Sequence, residues 1–137
     1  MGNEPVFVDT GAWIALFFAR DSLHRRVQAA LKAVQGRPLL TTSAVLLETL
    51  DGFAQHNLRY LAPPLRQTIQ TSQDLEIVSI DEALFARGWD SYQSRADKSW
   101  SLTDCISFVV MQQRNITDAL AHDHHFEQAG FRALLRD

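Results

Sequence analysis

Apolar residues in this chain fall in short blocks, each closed by a polar, glycine or proline position. Val6-Phe7-Val8 is an unbroken run ending on an acid, and it predicts a short buried strand over Pro5–Asp9. Thr10-Gly11 turns the chain, and Ala12–Phe18 predicts a helix. A second helix is predicted over Leu23–Val34, with Ser22 as its cap and Gly36 as its stop. Leu39–Thr42 predicts another strand. Ser43 is then placed to cap a helix over Ala44–His56, in which Val45, Leu46, Leu47 and Leu50 are expected to be largely buried. Pro63 and Pro64 suit the first turn of a further helix. The second half predicts a strand over Glu76–Ile80 and an Asp81-capped helix over Glu82–Gln93. A polar loop follows over Arg95–Trp100, then a Ser101-capped helix running to Gln113. Ala119–His122 reads as a strand, Asp123–Gln128 as a helical turn and Phe131–Leu135 as a last strand.

Short apolar strands alternating with helices predict an α/β fold: three α/β/α layers around a central, mostly parallel sheet of four to five strands, Rossmann-like in plan. In such sheets, ligands bind at the carboxyl ends of the strands, where the strand order reverses.

Composition narrows the class of protein. The chain has 137 residues, the length of one domain, and 46% are apolar, enough to build a core. One cysteine, Cys105, excludes a disulfide framework and a thiolate zinc cluster, and reads as a buried helix residue. The start lacks a basic segment followed by a long apolar run, and Arg20 and Asp21 interrupt the Phe17-Phe18 stretch. A signal peptide and a membrane span are therefore not expected, and a cytoplasmic protein is. The net charge of −3 excludes a basic coat for nucleic acid. Setting four candidate ligands aside leaves 12 acids against 13 basic residues, a balance of +1. Of those basic residues only Lys32 and Lys98 are lysines; arginine's planar fork suits phosphate, and it equally serves an ordinary soluble surface.

Four acids stand at element ends: Asp9 after the first strand, Glu48 and Asp104 in first turns of helices, and Asp123 after a later strand. Each has a purely structural reading. Asp9 could simply start a helix, where the positive helix end favours it. Glu48 could lie on an exposed stripe with Asp51 and Gln55, or be an acid amid Leu46, Leu47 and Leu50 that needs a cation. Ser101-Leu102-Thr103-Asp104 is a variant capping box, and Asp123 suits an N-cap. Taken together at one sheet edge, the four would form a hard-oxygen site suited to Mg²⁺ or Mn²⁺ rather than Zn²⁺. A cation there would activate water for in-line attack, with no serine or cysteine nucleophile. Thr10, Thr103 and Ser107 are candidate helpers through their hydroxyls.

Other chemistry is less specific. His122, His124 and His125 form a tract that could bind zinc or serve as surface or capping groups, and His124 or His125 could touch phosphate or substrate. Arg95, Lys98 and Trp100 form a basic-aromatic loop that could stack a base, or a loop anchored by its tryptophan.

Four segments carry a resemblance: Val6-Phe7-Val8-Asp9-Thr10-Gly11-Ala12-Trp13, Thr42-Ser43-Ala44-Val45-Leu46-Leu47-Glu48-Thr49, Ser101-Leu102-Thr103-Asp104-Cys105-Ile106-Ser107, and Ala119-Leu120-Ala121-His122-Asp123-His124-His125-Phe126. In this order they resemble PIN-domain proteins, and most closely the small VapC-type ribonuclease toxins. The resemblance implies a single nuclease domain over residues 1–137 and an acidic pocket holding Mg²⁺ or Mn²⁺ on Asp9, Glu48, Asp104 and Asp123. It further implies an RNA substrate, a homodimer and a small antitoxin partner. The alternatives are an RNA-processing nuclease of the same family without a toxin role, and a non-catalytic protein- or RNA-binding module.

Overall fold

The computed structural model describes residues 3–136. Five strands, β1 (Val6–Val8), β2 (Leu39–Thr42), β3 (Leu75–Val78), β4 (Asp118–Leu120) and β5 (Arg132–Ala133), form one sheet in the order β3-β2-β1-β4-β5. Every pairing is parallel, with Val6 opposite Leu39 on one side and Asp118 on the other. Among the described residues, seven helices flank the sheet: α1 (Thr10–Phe17), α2 (His24–Ala33), α3 (Ser43–Gln55), α4 (Ala62–Thr71), α5 (Glu82–Ser94), α6 (Leu102–Gln113) and α7 (His124–Gln128). This is the expected three-layer α/β/α plan. A single 3₁₀ turn, Arg59–Leu61, precedes α4 and was not foreseen. The two edge strands are shorter than expected, and β5 keeps only two residues.

The central strand explains the core. All three residues of β1 are buried, because its neighbours close both edges and helices cover both faces. Phe7 packs on Phe126, and Phe108 sits edge-on to both Phe126 and Trp100 with centroids 5.0 Å away in each case. Gly88 lets α5 approach α6 closely: a β-carbon there would fall 2.5 Å from Ile106 Cγ1.

Helix ends follow local hydrogen-bonding rules. α3, α6 and α7 each end with a residue in the left-handed region: Asn57, Asn115 and Gly130. The next amide closes back on the helix in every case, Leu58 to Phe53 O, Ile116 to Met111 O and Phe131 to Phe126 O. Two expected caps belong to neighbours instead. Thr42 caps α3 by accepting from the Val45 amide, and Ser43, already in the first turn, accepts from the Ile80 amide and ties β3's exit to α3. Ser22 does not cap α2; the Asp21 carboxylate takes the Leu23 amide one residue before the helix begins. Asp81 and Ser101 cap α5 and α6 as expected.

A candidate metal centre at the sheet switch point

The chain leaves β1 toward β2 and β3 on one side and later returns to add β4 and β5 on the other. The order therefore reverses between β1 and β4, and a crevice opens beyond their carboxyl ends. A cleft of about 680 Å³ lies there, and its walls include Asp9, Glu48, Asp104 and Asp123.

Asp9 follows β1 directly, held by its amide on Leu120 O of β4. It occupies the N-cap position of α1, yet its side chain makes no capping hydrogen bond. The carboxyl is buried instead, and burial pushes its pKa from 3.8 up to about 8. The Thr10 amide opposes that rise, while the charges of Asp104, Glu48 and Asp123 add to it. Burial of a group that would rather be charged, beside three other acids, is the environment a cation relieves.

Glu48 reaches the cleft from α3 and accepts a 2.5 Å hydrogen bond from Thr10 Oγ1. It is exposed, contrary to the reading that places it among buried leucines. Leu47 and Leu50 are themselves 64% and 41% exposed, so this helix turns an apolar stripe to the surface and Glu48 carries no burial penalty. The buried anchor is Asp9.

Asp104 closes a full capping box: Ser101 Oγ accepts from the Asp104 amide, and Asp104 Oδ2 accepts from the Ser101 amide. Burial pushes its pKa up, against the hydrogen bonds from Ser101 and His125. Asp123 caps α7 through Oδ1 on the His125 amide. Both acids are thus caps and cleft residues at once. Among the helpers, Thr10 lines the cleft. Ser107 is fully buried and donates to Thr103 O, and Thr103 lines an adjoining cavity rather than this one.

His125 touches two of the acids, a contact the sequence did not single out. Its Nδ1 lies 2.9 Å from Asp104 Oδ2 and 3.2 Å from Asp123 Oδ1, and its Nε2 lies 3.2 Å from Ser99 Oγ. The only signal for it was its place in the His tract. His122, His124 and Arg136 also line the cleft, Arg136 donating to His122 O and pairing with Glu127. One ligand atom each from Asp123, His124 and His125 gather within 4.8 Å. Trp100 proves to be a loop anchor: it is buried, donates to Gln128 Oε1 and is covered by Arg95, so no face is free to stack a base.

The model of the PIN domain matches residues 6–132, from the first strand to the last. This chain belongs to the PIN-domain family. Curated relatives of this PIN protein include the 23S rRNA-specific endonuclease VapC20 of two Mycobacterium tuberculosis strains, CDC 1551/Oshkosh and H37Rv. Each is 32% identical over 129 residues, covering 92% of this chain and 95% of the relative. The crystal structure of M. tuberculosis VapC20, described as a sarcin-ricin loop cleaving toxin, superimposes with a TM-score of 0.83 at 28% identity, covering 92% of this chain and 95% of that one. No helix among the described residues is long and apolar enough to cross a membrane.

Proposed function

We propose that this PIN domain is a metal-dependent endoribonuclease and the toxin of a toxin–antitoxin pair, acting on structured RNA in the cytoplasm. The observation that carries the reading is the convergence of four carboxylates, from β1's exit, α3, α6 and α7, on one cleft at the switch point, with Asp9 buried among them. The donor set fits Mg²⁺ or Mn²⁺, because all four groups are hard oxygens. When bound, such a cation supplies an activated water and neutralises charge developing on the cleaved phosphodiester. The chain's own residues do the holding. Asp9 sets the deepest carboxylate against the sheet, Thr10 fixes one oxygen of Glu48, and two helix caps aim Asp104 and Asp123. The rRNA specificity of VapC20 supports ribosomal RNA as the substrate to try first.

Purified protein is expected to cut RNA containing a sarcin-ricin-type loop in Mg²⁺ or Mn²⁺ and to stop on chelation. Cutting that survives both Asp9→Asn and Asp104→Asn would overturn the mechanism. The toxin role predicts growth arrest on induction and relief by a small protein encoded beside it; cleavage without arrest supports an RNA-processing role instead. We also propose a homodimer. Phe85, Trp89 and Tyr92 on α5, with Leu47 and Leu50 on α3, are large apolar side chains left exposed, and a second copy covering them would bury that surface. Sedimentation at micromolar protein tests this, and a monomer refutes it.

A further inference from the structure

We propose that His125 is the positioning residue of the acidic cleft: it holds Asp104 and Asp123 together, each by one carboxylate oxygen, and leaves the other oxygen of each for a divalent cation. This rests on the metal-dependent reading above and names a residue that the four-acid set does not contain.

The hydrogen-bond inventory assigns the role. Asp104 Oδ2 receives the Ser101 amide and His125 Nδ1; Asp123 Oδ1 receives the His125 amide and lies 3.2 Å from the same Nδ1. Ionised carboxylates only accept, so Nδ1 carries the hydrogen. Nε2 is taken up by Ser99 Oγ at 3.2 Å, a hydroxyl that can donate or accept. Both ring nitrogens are therefore committed to protein groups. The ring is well enclosed, with 14% of its side chain exposed. Asp104 is fixed to α6 and Asp123 to the start of α7, and His125 is the side chain that touches both. Among the described residues, no hydrogen bond engages Asp104 Oδ1 or Asp123 Oδ2. Each acid therefore offers one oxygen already aimed and partly prepaid in rotamer entropy. Groups that orient ligands in this way commonly change metal affinity by about 10- to 100-fold when removed.

The competing arrangement is His125 as a ligand itself, alongside Asp123 and His124. It requires Nδ1 or Nε2 to abandon its present partner. Asparagine separates the two. Its side-chain NH₂ stands two bonds beyond Cβ, where histidine has Nδ1, so it can donate to the same carboxylates, and an amide nitrogen, unlike an imidazole nitrogen, has no free lone pair for Mn²⁺. Glutamine places its NH₂ one bond further and misses them.

The experiment measures Mn²⁺ affinity by titration calorimetry and by Mn²⁺ electron paramagnetic resonance for the wild type, Asp104→Asn, and the Ala, Asn and Gln variants of His125. Thermal melting in chelator reports on folding of each. The expected result is Mn²⁺ binding weakened about tenfold or more in His125→Ala and His125→Gln, and restored to within about threefold in His125→Asn, with metal-free melting little changed. Nitrogen-15 spectra of the metal-free protein should show His125 protonated at Nδ1. Loss in His125→Asn equal to that in His125→Ala would overturn the proposal in favour of direct ligation. Unchanged affinity in His125→Ala would overturn it outright while leaving the metal reading intact. No Mn²⁺ binding by the wild type, or binding that Asp104→Asn leaves unchanged, would sink both.

Discussion

Asp9 gives the most quantitative test of the cleft. Replacing it with asparagine removes the charge and nearly keeps the shape. The folded carboxyl titrates at about 8 against 3.8 as the ordinary value, so the folded state binds this proton more tightly than the unfolded chain does. The sign follows from linkage. Without metal, the stabilising proton is fully present below pH 3.8, and its contribution is lost steadily as pH rises toward 8. Each pH unit in that window is worth about 1.4 kcal/mol, so by pH 7 the loss accumulates to about 4 kcal/mol. The variant lacks this slope. Urea denaturation in chelator, followed by circular dichroism between pH 4.5 and 7.5, should show the wild type losing stability relative to Asp9→Asn. With an m-value of about 2 kcal/mol/M, the relative midpoint should move by roughly 1 to 2 M. Millimolar Mn²⁺ should recover more than half of that loss at pH 7.5, because a ligand at 100 times its Kd stabilises the folded state by about 2.7 kcal/mol. Only a protein with an ionised Asp9 can collect that gain in full. Parallel pH curves for the two proteins in chelator would refute the account of Asp9 as a buried, unpaired acid.

Four further outcomes follow from the same structure. Asp9→Asn and Glu48→Gln should each lower metal-dependent RNA cleavage by about 100-fold or more, read by gel under single-turnover conditions, since several kcal/mol of charge stabilisation is at stake. Gly88→Ala should cost about 1 to 3 kcal/mol in urea unfolding, because its new methyl meets the Ile106 side chain where α5 crosses α6. Asp118→Ala should cost about 3 kcal/mol. Burial works against this charge, but Arg132 and Arg37 outweigh it and hold the carboxyl below its ordinary range. That stabilisation is therefore present above 3.8 and fades as pH falls below it. Trp100→Ala should cost about 3 to 5 kcal/mol in unfolding, as expected of a core aromatic rather than a surface stacking platform.

The order of apolar blocks and caps along the chain dictates the alternation of strands and helices, and with it the parallel sheet and its edge. Runs such as Val6-Phe7-Val8, short, apolar and rich in β-branched residues, favour buried strands, and Asp81 and Ser101 announce their helices through side-chain chemistry that acts within three residues. Local rules of that kind survive folding unchanged. They fail where two neighbours compete for one role: Thr42 rather than Ser43 caps α3, because the strand delivers Thr42 in extended geometry at the helix entrance.

The weighting of the acids was a different matter. Leu46, Leu47 and Leu50 made Glu48 look buried, but periodicity shows only that a helix has an apolar side, not whether that side meets the core or the surface. Here Leu47 and Leu50 face outward. Asp9 looked like an ordinary helix start, and only the sheet shows that its carboxyl is buried without a cap. His125 was one of three clustered histidines until α6 and α7 brought Asp104 and Asp123 both within 3.2 Å of its Nδ1. Residues 21 positions apart share no local signal. Their meeting is decided by how the helices pack on the sheet, and that depends on the whole chain.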